Sequence, residues 1–159
     1  MNKKLTQFDE SGRAKMVDVS NKAVSSRRAK ARGHVQFTPD AYRFIREEGS
    51  KKGDIASIAE IAGIMGAKKT ADLIPLCHPL PLTGLRVKVE PDDENHLLHV
   101  TAEVMTSALT GVEMEALTAV SVACLTIYDM AKAIDKDMTI GGVELIEKTG
   151  GASGDFKRG

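Results

Sequence analysis

Apolar and polar residues alternate with period two in two stretches. Leu85, Val87 and Val89 are interleaved with Arg86, Lys88 and Glu90, and Leu98, Val100, Ala102 and Val104 with His99, Thr101 and Glu103. This is the pattern of half-buried strands, and the turn-rich PDDEN between them makes a hairpin. Upstream the period changes: Ile55, Ile58, Ala62 and Met65 recur at three- and four-residue steps, predicting a helix over about 54–69 with these residues on one face. Before it, Thr38-Pro39 supplies an N-cap and a first-turn proline for a helix from Asp40 to Glu48, stopped by Gly49 and preceded by a short strand at about 34–37. Pro75, Pro79 and Pro81 make ADLIPLCHPLPLTG a stiff connection, because neither a helix nor a central strand tolerates that density. A long helix from about Val112 to Ile134 and a last strand at about 138–147, bulged at Gly141-Gly142, complete the set.

The order from His34 onward is β-α(α)-β-β-α-β. It predicts an α+β, ferredoxin-like fold: an antiparallel sheet with helices packed on one face. Residues 34–149 form this domain, 1–33 a flexible basic N-terminal arm and 150–159 a flexible glycine-rich tail. The long helix adds a constraint, since Ala116 to Tyr128 holds no charge on any face. A helix apolar all round is buried all round, and one small sheet covers only one side. A second copy of the chain is therefore expected to cover the rest.

Composition changes this picture in few places. Two cysteines, Cys77 and Cys124, cannot build a disulfide framework, so a reducing, cytoplasmic setting is expected. The longest uncharged run is short of the roughly 20 residues of a membrane span, and the first residues lack a signal-peptide apolar segment. The formal net charge is zero, which disfavours a generic nucleic-acid or membrane-surface binder. That zero hides a polarity: residues 1–70 carry 15 basic and 8 acidic side chains, and residues 71–159 carry 7 and 14. Arg27, Arg28, Lys30 and Arg32 form the densest basic cluster. An RNA-binding module of this fold would need aromatic residues on the two alternating strands, and there are none.

Four clusters could carry chemistry, and each also has a plain structural role. Asp54 can cap a helix that ends in Lys68-Lys69, and GAKKT lacks the spacing of a phosphate-binding glycine loop. Cys77-His78 lacks the partners of a metal site, although the prolines would hold His78 rigidly as an acid/base group. Thr110 to Glu113 reads as a capping box, and Glu113 and Glu115 lie about 200° apart on the helix. Asp129 and Lys132 suit an ion pair one turn apart, yet the helix dipole disfavours a carboxylate so near the C-terminal end. Glu115 and Asp129 lie within about 40° of one face but roughly 21 Å apart along the axis. Two helices packed antiparallel about a two-fold would bring the start of one beside the end of the other.

The segments KMVDVSNKA (15–23), KGDI (52–55), AKKTADLIPLCHPLPL (67–82), TGVEMEALTAVSVACLTIYDMAKAIDKDM (110–138) and GGASGDFK (150–157) closely resemble the MoaC family of molybdenum-cofactor biosynthesis. The resemblance runs over nearly the whole chain, loosely at 24–50 and 83–105. It implies a lyase that rearranges a GTP-derived nucleotide, 3′,8-cyclo-7,8-dihydroguanosine 5′-triphosphate, to cyclic pyranopterin monophosphate with release of pyrophosphate. It also implies a homohexamer, a trimer of dimers with sites at the dimer interfaces. The family's catalytic aspartate falls on Asp129 and its active-site lysines on Lys52 and Lys132. Its substrate-binding positions fall on Leu76, Cys77, His78, Glu113, Met114, Glu115 and Lys68, with Arg27 reaching in from the arm. No resident metal or cofactor is implied, Mg²⁺ entering only with the triphosphate, and neither nucleic acid nor membrane is a partner.

Overall fold

A computed structural model describes residues 3–52 and 54–159, the side chains of residues 50–52 excepted. Five strands form one antiparallel sheet: β1 (Ser25–Gln36), β2 (Leu82–Asp92), β3 (Leu97–Ala108), β4 (Thr139–Thr149) and β5 (Phe156–Lys157), in the order β2-β3-β1-β4-β5. The helices are α1 (Pro39–Lys52), α2 (Ile55–Lys68), α3 (Thr70–Leu73) and α4 (Glu113–Ala131). This is the ferredoxin-like α+β order read from the pattern, with β5 added at one edge.

Two expected boundaries move. The basic arm ends at residue 24, because Arg27 to Arg32 belong to the 12-residue central strand β1. Ala29, Ala31 and Val35 face the helices and are fully buried, and Gly33 sits so close to α4 that an added Cβ would lie 2.7 Å from the Val120 Cγ1 atom. On the other face Arg28 pairs with Glu103 at 2.9 Å and with Glu147 at 3.7 Å, and Arg32 with Glu144 at 2.6 Å. The densest basic cluster is thus threaded between Glu103 of β3 and Glu144 and Glu147 of β4. The tail also departs from expectation: Phe156 and Lys157 return to pair with Lys148 and Glu147. The bulge at Gly141-Gly142 is present, with an extra β4 residue opposite Arg32–His34 and Gly142 at φ +61°.

The helices differ from expectation in two ways. Gly49 does not stop α1, which continues to Lys52; an interior glycine costs only about 1 kcal/mol. The N–H and hydroxyl of Thr38 both donate to the Asp135 carboxylate, at 2.9 and 3.0 Å, which moors the start of α1 to the segment after α4. Asp54 caps α2 as expected, accepting from the Ala56 N–H at 3.0 Å. The buried residues of α2, however, are Ala59, Gly63, Gly66 and Ala67, while Ile58, Ile61 and Met65 are exposed. Small residues let α2 lie close against α4; Ile58, Ile61 and Met65 are turned outward, while Ile55 and Ile64 pack half-buried against the core.

The core lies between the sheet and these two helices. Val87, Val89, Val100, Ala102 and Val104 meet Ala116, Ala119, Val120, Ala123, Cys124 and Ile127 of α4. By length and composition α4 could cross a membrane, but half of that apolar window is buried within the fold, and it is the core helix. Burial pushes the Cys124 thiol up to about 12, so this cysteine is inert filling.

Candidate active site

The stiff connection after α3 and the first turn of α4 meet at one end of the helical layer. Between them lies a cavity of about 470 Å³, lined by Leu76, Cys77, His78 and Leu80 from the connection. Thr110, Gly111, Glu113, Met114 and Glu115 line it from the start of α4. A third wall comes from the N-terminal segment: Thr6, Gln7, Val17, Val19 and Lys22. Six of the expected substrate-binding positions therefore share one cavity.

The capping box does not form. The helix begins two residues later than Thr110 implied, with Val112 at the N-cap position and no side-chain cap. Glu113 is thereby released from capping. Its carboxylate folds back over Gly111, where a Cβ would come within 2.2 Å of Oε2, and its other oxygen lies 3.6 Å from the Lys148 Nζ atom. Arg27 supports the same loop from beneath, its guanidinium donating to the carbonyls of Ala108 and Leu109 at 3.1 Å each.

Glu115 points the other way around the helix yet reaches the same cavity, because both residues stand in the first turn at its mouth. It is only 4% exposed, and its Oε2 atom has no hydrogen-bond partner. Burial raises its pKa above the usual carboxylate range, and the neighbouring Glu113 adds to the rise. Burial and these two carboxylates likewise raise the Cys77 thiol, so Cys77 stands in the cavity as a neutral group rather than a nucleophile. The His78 Nε2 atom donates to the Val17 carbonyl at 2.8 Å.

The remaining expected residues lie elsewhere in the protomer. Asp129 and Lys132 form an exposed pair at the far end of α4, Nζ to Oδ1 2.6 Å, and this hydrogen bond keeps the Lys132 ammonium firmly protonated. Lys68 is exposed in the last turn of α2. The side chain of Lys52 lies outside the described residues. The cavity walls at Thr6, Gln7, Val17, Val19 and Lys22 were not singled out from sequence, although KMVDVSNKA carried part of the resemblance.

The profile of the MoaC family matches residues 16–151. The chain belongs to the MoaC family. Proteins named cyclic pyranopterin monophosphate synthase are similar to it throughout. That of Parvibaculum lavamentivorans is 57% identical over 155 residues, covering 98% of this chain and 97% of the relative. That of a Methylobacterium species is 56% identical over 152 residues (96% and 95%), and that of Thermomicrobium roseum 53% over 154 residues (97% and 93%). The MoaC match includes the connection, the start of α4 and the Asp129–Lys132 end, while Thr6 and Gln7 lie before it.

Proposed function

We propose that the chain carries the activity its relatives are named for. It is a lyase of molybdenum-cofactor biosynthesis, converting 3′,8-cyclo-7,8-dihydroguanosine 5′-triphosphate to cyclic pyranopterin monophosphate and pyrophosphate. The observation that carries this reading is the cavity itself, which gathers Leu76–His78 and Glu113–Glu115 around space of nucleotide-fragment size. Opening the purine-derived ring and closing the pyran move protons between nitrogen and oxygen, which calls for acids and bases working near neutral pH. Asp129 and Lys132 act as the acid/base pair, and Lys52 serves the same site. Lys68 and Arg27 hold the triphosphate while pyrophosphate leaves, and His78 with the Glu113–Glu115 turn orients the base and sugar.

The site is completed by a second copy of the chain. Glu115 and Asp129 stand roughly 21 Å apart on one helix, too far for one small ligand. The outward side of α4 carries Met114 and Leu125, and α2 beside it exposes Ile58, Ile61 and Met65. This is an apolar surface suited to an antiparallel partner. The reading extends to a cytoplasmic homohexamer built from such dimers, with no resident cofactor and with Mg²⁺ entering as the counter-ion of the triphosphate.

The test is turnover of the cyclised nucleotide by the purified protein, with one pyrophosphate released per cyclic product. Asp129→Asn, folded and assembled to the same mass, is expected to lose about 10²- to 10⁴-fold in rate. Normal turnover by that variant would remove Asp129 from the mechanism.

A further inference from the structure

Residues 3–24 build their own turns but bury little of their own apolar surface. Asp9 accepts from the Ser11 and Arg13 N–H groups at 2.9 Å, Asp18 accepts from the Ser20 N–H at 2.9 Å, and Phe8 bridges to Ala14. Leu5, Phe8 and Val24 remain exposed, at 79%, 48% and 64%. The core therefore does not hold this segment in place. Among the described residues a single hydrogen bond ties it to the body of the protein, and that bond is made by His78. The side chain that lines the cavity thus also anchors the cavity's third wall.

The bond constrains the ring chemically. A carbonyl oxygen only accepts, so the Nε2 atom facing Val17 must carry the hydrogen. In the neutral ring Nδ1 is then the only acceptor, free to take one proton from an O–H or N–H of a ligand. Proton uptake at Nδ1 leaves the Nε2–H bond intact and makes it charge-assisted. We infer that the Val17 carbonyl is a positioning group that fixes His78 as its Nε2–H tautomer, and that the same bond latches residues 15–22 as a wall over the cavity. The inference deepens the proposed function and rests on it only for the identity of the ligand.

Ring and latch are read by separate measurements on the whole protein. With ¹⁵N-labelled histidines, at a pH where the rings are neutral, the signals missing from His78→Gln identify His78. The expected spectrum has a protonated Nε2 and a bare Nδ1 with no averaging between tautomers; an Nδ1–H ring or an averaged one overturns the inference. Trypsin cleavage after Lys15 and Lys22 reports the wall. A glutamine amide stands where Nε2 was and can still donate to Val17, whereas an asparagine amide stands where Nδ1 was and cannot. His78→Gln is expected to be cut within about twofold of the unaltered rate and His78→Asn roughly fivefold faster, the worth of one hydrogen bond. Equal rates for the two variants overturn the latch. If either variant fails to fold, the ring spectrum of the unaltered protein decides, assigned through substitutions at His34, His96 and His99. Neither readout uses turnover, so an intact latch without product formation would count against the substrate and not against the latch.

Discussion

At the scale of single residues, Glu115 lines the cavity at the expense of the fold. Its carboxylate is buried with an unpartnered oxygen, and burial together with Glu113 raises its pKa. A carboxylic acid whose folded pKa is raised binds protons more tightly in the folded than in the unfolded state. Its penalty is absent below the unfolded value of about 4.3 and grows as pH rises through the window up to the folded value. At neutral pH the buried Glu115 carboxylate therefore destabilises the fold. Glu115→Gln, which removes the charge and keeps the shape, is expected to stabilise the ligand-free protein by up to about 1 kcal/mol, a Tm rise of about 2–4 °C at pH 7.5. The rise should vanish near pH 4. Turnover should fall about 10- to 100-fold, the worth of a charge-assisted hydrogen bond to substrate. Calorimetry at the two pH values checks the first part and steady-state kinetics the second; a lower Tm at neutral pH would show that Glu115 is paired after all.

At the scale of elements, the helical layer depends on closeness that large side chains would prevent. An added Cβ at Gly66 would lie 2.7 Å from the Val122 Cγ2 atom and 2.8 Å from its Cβ, so α2 and α4 would have to move apart. Gly66→Ala gains about 1 kcal/mol in helix propensity but incurs overpacking of about 1–3 kcal/mol, and its Tm is expected to fall by a few degrees. Gly49 in α1 supplies the control, since a Cβ there would meet only the Ile45 Cγ2 atom, at 3.9 Å. Gly49→Ala should raise Tm by about 2–4 °C through propensity alone. Opposite signs at two helical glycines are the measurement; equal signs would show that α2 and α4 are not in such close contact. The same closeness explains what was illegible in the sequence. The hairpin β2–β3 was plain because its inward residues are valines and leucines. The alternation in β1 runs Arg28, Lys30, Arg32 against Ala29, Ala31, Gly33, and small residues beneath a tight helix carry no hydrophobic signal. Helix α2 misled in the opposite sense, because Ile58, Ile61 and Met65 face outward while Ala59, Gly63, Gly66 and Ala67 are buried.

At the scale of the whole molecule, strand order accounts for one part of the charge polarity along the chain: β1 brings Arg28 and Arg32 between Glu103 of β3 and Glu144 and Glu147 of β4. Two parts of the candidate site, Leu76–His78 and Glu113–Glu115, were legible through the resemblance of LIPLCHPL and GVEMEALTA, whereas pattern alone gave Glu113 only as a helix cap. The N-terminal wall was not legible, because no periodicity marks Thr6, Gln7, Val17, Val19 and Lys22, and only the folded chain brings them to His78. The Asp129–Lys132 end stays apart from the cavity within one protomer, and that separation makes the shared site testable. If Glu115 of one copy works with Asp129 of another, Glu115→Gln and Asp129→Asn chains are each impaired alone but complement when mixed. In a dimer of one of each, one site inherits both defects and the other inherits neither. Random reassembly of equal amounts from denaturant should then restore about a quarter of wild-type activity, since half the dimers are mixed and half of their sites are intact. Mixing the same proteins without dissociating them should restore nothing. Activity after reassembly that stays at the mean of the two variants would place Glu115 and Asp129 in the same chain's site and refute the antiparallel arrangement of α4.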